Sequence, residues 1–244
     1  MQVRRDAANQ VLENARSTGE EPMLRVKAIT PLHLPDEEVA RRQSRYNRLG
    51  GARVRINLVN LGKGAPLRLD SAEDIARSDG YVREEIGRTD PERFDAILPD
   101  CVLDPGVGEV DDSPVPLVGI LRLAAGHLAS LGESFAAVTR NGAIGDELRR
   151  RIVAYGLTAH LTSVELLDVD FCLISDHSGW AKAMKPLGSS LSAKGVTKLL
   201  NGCSAVEIPD KRLGGVVVVD PTELAIRLLA VAYDTGLIGA RRER

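Results

Sequence analysis

From residue 24 onward, short apolar runs rich in strand-forming residues alternate with amphipathic stretches of helical length. This alternation constrains the fold more than any other feature. The strand-like runs are LRVKAIT (24–30), ARVRINLVN (52–60), 91–100 ending in FDAILPD, VPLVGI (115–120), SFAAVTRN (134–141), HLTSVELLD (160–168), VTKLLNG (196–202) and the VVVV run before Asp220. Between them, DEEVARRQSRYNRLG (36–50) has an acidic first turn, basic later turns and a glycine stop, the signature of a helix. Ser71 stands as an N-cap with Glu73 and Asp74 in the turn behind it. Further helical segments follow at 121–132, 145–156, 180–194 and after Pro221. About eight strands alternating with helices predict an α/β fold with parallel sheet covered on both faces.

Composition limits the function classes. Hydrophobic residues make up 43% and charged residues 27%, which suits a packed globular chain. A net charge of −2 and 3% aromatic residues supply neither the basic surface nor the stacking platforms of a nucleic-acid binder. The first 23 residues are polar and charged, read as an extension ahead of the fold. They lack the apolar core of a signal peptide, and no stretch is long and apolar enough to span a membrane. The cytoplasm is therefore the expected compartment. Three widely spaced cysteines and four scattered histidines form neither a disulfide framework nor a metal template. GKG at 62–64 lacks the spacing of a phosphate loop.

Cys101 follows FDAILPD, and Cys203 follows TKLLNG. Each thus sits just beyond a buried strand, where an open α/β sheet binds its ligands. A thiol and a thiolate on opposite sides of one carbon can exchange roles as acid and base, the chemistry of a cofactor-independent racemase or epimerase. Amides of the two turns are expected to stabilise thiolate and to hold a carboxylate as it gains enediolate charge. Cys101 and Cys203 are accordingly expected to be open to the crevice and reactive. Cys172, within DVDFCLISD, is expected to be buried and structural.

RVKAITP (25–31), FDAILPDCVLDPGV (94–107), VPLVGI, FAAVTRN (135–141) and TKLLNGCSAVEI (197–208) together resemble the aspartate/glutamate/hydantoin racemase superfamily, most closely its hydantoin-racemase-like branch. The resemblance implies two pseudo-symmetric Rossmann-like lobes, each a four-stranded parallel sheet flanked by helices. On this chain the first lobe takes 24–120 and 216–244, and the second takes 121–215. It implies Cys101 and Cys203 as the acid/base pair, no metal and no cofactor, and a small carboxylated or amide-containing substrate. A homo-oligomer is compatible with it. Other branches isomerise an unsaturated diacid through a cysteine adduct, and a binding protein that has lost the chemistry is a third reading. The chain has Thr30-Pro31-Leu32-His33 where the racemases carry an Asn-Pro-Asn-Thr loop, and Gly202-Cys203-Ser204-Ala205 at the second motif.

Several residues around these motifs are candidate ligands. Thr30 can donate to a carboxylate, and His33 lies in the loop after the first strand. Gly202 and Ser204 flank the second thiol. Asp104, in the Asp-Pro-Gly turn, either stabilises that turn or orients substrate. Thr139 and Asn141 end the strand that opens the second lobe, where they can meet a carboxylate or amide. Arg122 and Arg140 are candidate anion clamps, with surface salt bridges the plain alternative.

Overall fold

A computed structural model describes residues 23–239 apart from 109 and 111. The N-terminal extension expected over 1–23 thus lies outside the described residues, Met23 excepted. In chain order the elements are β1 (Leu24–Ile29), α1 (Asp36–Gly50), β2 (Val54–Val59), α2 (Ala72–Gly87), β3 (Ala96–Pro99), α3 (Ile120–Ser130), β4 (Phe135–Thr139), α4 (Gly142–Ala154), β5 (Leu161–Leu166), α5 (His177–Ala193), β6 (Lys198–Asn201), β7 (Arg212–Leu213), β8 (Val216–Val219) and α6 (Pro221–Asp234). Ser71 caps α2 as expected, and Asp74 completes a capping box with it. Its hydroxyl accepts from the Asp74 N–H at 3.1 Å, and the Asp74 carboxylate accepts from the Ser71 N–H at 3.2 Å.

Two parallel sheets result, in the orders β2-β1-β3 and β5-β4-β6-β8-β7, with only the short β7 antiparallel. The strand expected over 115–120 is not formed, and Gly119 and Ile120 instead open α3. The part before it, 115–118, makes a single parallel bridge, Leu117 to Ile97. Pro114 and Pro116 explain the reduction, because neither has an N–H to give a ladder. With that remnant counted as a fourth strand, both lobes share one order: second, first, third, fourth. The lobes are therefore topologically equivalent, though the strict strand numbers differ from four and four.

The helices cross between lobes. Leu121, Ala124, Ala125 and Leu128 of α3 pack with Phe135, Ala137, Leu148 and Ile152 of the second lobe. Ala225, Ile226 and Leu229 of α6 return to pack on Leu24, Val26 and Ile56 of the first. The expected return at residue 216 comes one element later. The valine run of β8 pairs with β6, Lys198 opposite Val217 and Leu200 opposite Val219, so it belongs to the second sheet. The chain crosses back only at Asp220, which caps α6 through the Thr222 and Glu223 N–H groups.

Asp104 fixes another junction. It is fully buried, with φ at 49°, in the left-handed region. Its carboxylate accepts from the Leu121 and Arg122 N–H groups at 3.0 and 2.8 Å and from the Tyr155 hydroxyl at 2.9 Å. Gly119, the residue before α3, has no side chain with which to cap, and a Cβ there would strike the Asp104 carboxylate. Asp104→Ala strips three buried donors of their acceptor and is expected to lower stability by about 2–4 kcal/mol. Chemical denaturation checks this; a loss under about 1 kcal/mol would contradict the capping role.

Candidate active site between the two lobes

The two thiols are placed by the same backbone device. β3 breaks off where the Asp100 N–H donates to the Ile29 carbonyl at 2.7 Å, and β6 where the Gly202 N–H donates to the Val138 carbonyl at 2.7 Å. The next residue in each case is a cysteine, lifted out of the ladder at the carboxyl end of its lobe's third strand. At Gly202 the approach is close enough that a Cβ would lie 2.5 Å from the Val138 carbonyl oxygen, so glycine is required there.

Cys101 and Cys203 line one cleft, with Arg42, Arg140, Leu69 and Phe171 among its walls. Its empty volume, mouth included, is about 470 Å³. Cys101 is buried and Cys203 half-buried. The Leu103 N–H approaches the Cys101 sulfur at 3.5 Å. Burial nevertheless pushes the Cys101 thiol up to about 12, against that amide and with the Asp100 and Asp104 charges adding to the rise. Burial also raises Cys203, but there the Ala205 amide, the Arg42 guanidinium and the Val206 amide all oppose it. The expectation that turn amides dominate is thus corrected: desolvation of the thiolate outweighs them at both sites. Cys172 is corrected too. It is exposed, at the start of a 3-10 turn, and its sulfur is not core.

Asp100 is the charged centre beside the first thiol. It accepts from Arg42 Nη1 at 2.9 Å and from the Tyr46 hydroxyl at 2.7 Å, and its carbonyl accepts from the Ser204 hydroxyl at 3.1 Å. Arg42 Nε donates to Glu38 at 2.7 Å. Burial works against the Arg42 charge, yet the Asp100 and Glu38 carboxylates overcome it and hold the guanidinium protonated. Sequence reasoning read Arg42 only as part of the basic end of a helix. Its available signal was Asp100 itself, since an acid that follows a buried strand calls for a cation.

Of the other candidates, Arg140, Gly202 and Ser204 line the cleft. Arg140 pairs with Asp70, donates to the Leu69 carbonyl at 2.8 Å and lies 5.6 Å from the Phe171 ring centre. Its Nε is buried with no hydrogen-bond partner. The remaining candidates are not among the residues that line the cleft. Thr30 is consumed by the Leu32 carbonyl at 2.7 Å and the Leu61 N–H at 3.0 Å, and His33 Nδ1 lies 2.8 Å from the Leu61 carbonyl oxygen. Thr139 donates to the Asn141 carbonyl at 3.3 Å, and Asn141 caps α4 through the Ile144 N–H at 2.9 Å. Arg122 rests 5.8 Å from the Tyr155 ring centre, and Asp104 is spent on its helix. The small polar residues at strand ends are used by the turns themselves, which a motif cannot reveal.

The sequence matches the profile of the Asp/Glu/hydantoin racemase family over residues 41–229. The chain belongs to that family. The family places it among the isomerases. Among solved structures it is similar to allantoin racemase from Klebsiella pneumoniae, at 20% identity and a TM-score of 0.73, covering 88% of this chain and 89% of that one. It is similar to allantoin racemase from Pseudomonas fluorescens at 17% identity and a TM-score of 0.73, covering 87% and 92%. The maleate isomerase from Pseudomonas putida S16 matches at 15% identity and a TM-score of 0.57, covering 87% and 94%. No curated protein sequence matches. These likenesses establish the shared two-lobed fold. Among the described residues of this family member, no cluster of three or more His, Cys, Asp or Glu side chains is arranged to hold a metal ion. None of its described helices is long and apolar enough to cross a membrane.

Thiol exposure sets an order of reactivity. Cys172 is expected to be alkylated first, Cys203 more slowly and Cys101 last, because burial hinders both access and ionisation. Time-resolved mass mapping of the native protein measures this, and rapid labelling of Cys101 would refute its buried placement.

Proposed function

We propose that this protein is a cofactor-independent racemase or epimerase that inverts a carbon next to a carboxylate or carbonyl, with Cys101 and Cys203 as the two acid/base groups. The observation that carries the reading is the equivalence of the two thiols: each follows the third strand of its lobe, and both line one cleft. In the reaction one sulfur, as thiolate, takes the proton from one face of the carbon. The other, as thiol, gives a proton to the opposite face, and the roles reverse in the other direction. Burial keeps both sulfurs protonated at rest, so one must ionise as substrate fills the cleft. Such a thiolate is scarce but strongly basic, which suits a weakly acidic C–H. Cys203 is the better placed to ionise, since Arg42 and two amides oppose its shift.

Arg140 supports a carboxylated substrate of amino-acid or hydantoin-derived type. Its buried Nε lacks an acceptor, and a carboxylate oxygen would supply one. The likeness to two allantoin racemases is consistent with a ureido-bearing substrate of the hydantoin-like branch.

Two measurements test the proposal. Cys101→Ser and Cys203→Ser are each expected to lower racemisation by at least about 100-fold, together with substrate-dependent exchange of the reacting hydrogen in deuterated water. Full activity in both variants would end the two-base mechanism. A trapped thioether without exchange would instead indicate cis–trans isomerisation of an unsaturated diacid. Arg140→Met is expected to raise KM for a carboxylated substrate by about tenfold or more, with kcat less affected. An unchanged KM would remove Arg140 from substrate binding.

A further inference from the structure

The two cysteine turns touch, and one guanidinium stands at their contact. The Ser204 hydroxyl, next to Cys203, donates to the Asp100 carbonyl, next to Cys101, at 3.1 Å. Arg42 of α1 reaches the same Asp100, with Nη1 donating to its carboxylate at 2.9 Å. Arg42 is buried, and it lines the cleft together with both cysteines.

Two of the three guanidinium nitrogens are taken. Nε donates to Glu38 at 2.7 Å, and Nη1 holds Asp100. Nη2 has no acceptor among the described residues, yet it is not sealed inside the protein. The space that Arg42 borders is the cleft, so Nη2 is open to the cleft. A guanidinium this far from bulk water favours any ligand oxygen that can accept its spare N–H groups. The fork is fixed from two sides by Glu38 and Asp100. Glu38 is in turn held by Arg41, whose Nε and Nη2 each donate to it at 2.7 Å. Two arginines and two carboxylates balance in charge. Arg42 therefore offers the cleft directed N–H groups on a fixed plane, not surplus positive charge.

Inversion next to a carbonyl has a stage at which such donors matter. When one sulfur removes the proton, the C–H electron pair moves into the neighbouring C=O and leaves an enolate oxygen. When the other sulfur delivers a proton, the pair returns to carbon and the C=O is restored. That oxygen is two bonds from the carbon between the sulfurs, and Arg42 is fixed where the two cysteine turns meet. Donors already in place when the charge develops lower the barrier.

We infer that Arg42 is the oxyanion donor of this site: its Nη2 donates to the substrate carbonyl oxygen and holds it as the enolate forms. The inference rests on the racemase reading of the cleft. It gives the two arginines of the cleft separate duties. Arg140 binds a carboxylate in every state of the substrate, whereas Arg42 binds most strongly when the carbonyl oxygen is charged.

The probe is oxalate, a planar dianion that resembles an enediolate. Its protection of Cys203 against alkylation is measured by mass mapping in the native protein, Arg42→Lys and Arg48→Ala. Lysine keeps a cation beside Glu38 and Asp100 but not the planar fork. Arg48 is on the same helix, exposed, and paired with the exposed Glu207. Oxalate should protect the native protein, and Arg42→Lys should raise the half-protecting concentration about tenfold or more. Arg48→Ala should leave it within about twofold. In racemisation, Arg42→Lys should lower kcat by about 100-fold with KM little changed, the opposite split to Arg140→Met. The inference is overturned if oxalate fails to protect the native protein, or if Arg42→Lys, with cooperative unfolding intact, leaves the half-protecting concentration in place. It is equally overturned if Arg48→Ala weakens protection as much, or if Arg42→Lys changes KM alone. Should Arg42→Lys not fold, a crystal of the native protein with oxalate decides. An oxalate oxygen within hydrogen-bond distance of Arg42 Nη2 upholds the inference, and oxalate bound elsewhere overturns it. Weakened protection in Arg42→Lys, with full activity in both Cys→Ser variants, would keep the anion site and reject the racemase reading. Unchanged protection and kcat in Arg42→Lys, with both Cys→Ser variants inactive, would do the reverse.

Discussion

The buried guanidinium of Arg45 joins three segments that are distant in sequence: α1, the Cys203 turn and the start of α6. Taking such a charge out of water costs several kcal/mol, which is offset only by close and well-directed partners. Apolar packing between the lobes has no such direction and tolerates a small slide of one layer over another. Hydrogen-bonded charge does not. With Arg42 on Asp100 and Arg45 on Ser204, one helix holds both cysteine turns, so the space between the sulfurs is set by the geometry of α1.

The same burial that fastens the turns governs the thiols. The cleft walls around Cys101 are Leu32, Leu69, Val102 and Leu103, which exclude water and disfavour the thiolate. Asp100 and Asp104 add to this at Cys101; at Cys203 Asp100 adds to it too, while the Ala205 amide, Arg42 and the Val206 amide oppose it. Topological symmetry between the lobes thus coexists with electrostatic asymmetry. Two cysteines at equivalent strand ends differ because one lobe contributes a carboxylate where the other has Gly202. A glycine is obligatory there only in the second lobe, where the backbone of β4 presses against it.

The crossing of α3 and α6 explains why the two lobes behave as one body. Each lobe's final helix covers the other lobe's sheet, so neither sheet is closed without its partner. Asp104 belongs to this crossing and not to the cleft. Burial pushes its carboxyl up to about 6 even with three donors around it, and the left-handed backbone at that position is stabilised by the helix it caps. A residue that looks like a ligand in the motif is a joint in the fold.

Much of this was legible in the chain itself. The span of α1, the Ser71 cap, the β-then-cysteine pattern in each half and the family resemblance all rest on local signals: periodicity, capping chemistry and the residues at strand ends. The reduction of 115–118 to a bridge was legible in principle, since Pro114 and Pro116 lack the N–H groups a ladder needs. The sequence by itself determined an α/β chain with two thiols beyond equivalent strands. Tertiary structure alone decided that Cys172 is exposed, that β8 joins the second sheet, that Thr30 and Asn141 serve turns, and that Arg42 reaches the cleft. The reason is physical: a strand's hydrogen bonds and a helix's caps follow local rules, whereas burial and the partners of Arg42 and Arg45 depend on segments far apart in the chain, 58 residues for Arg42 with Asp100 and 159 for Arg45 with Ser204.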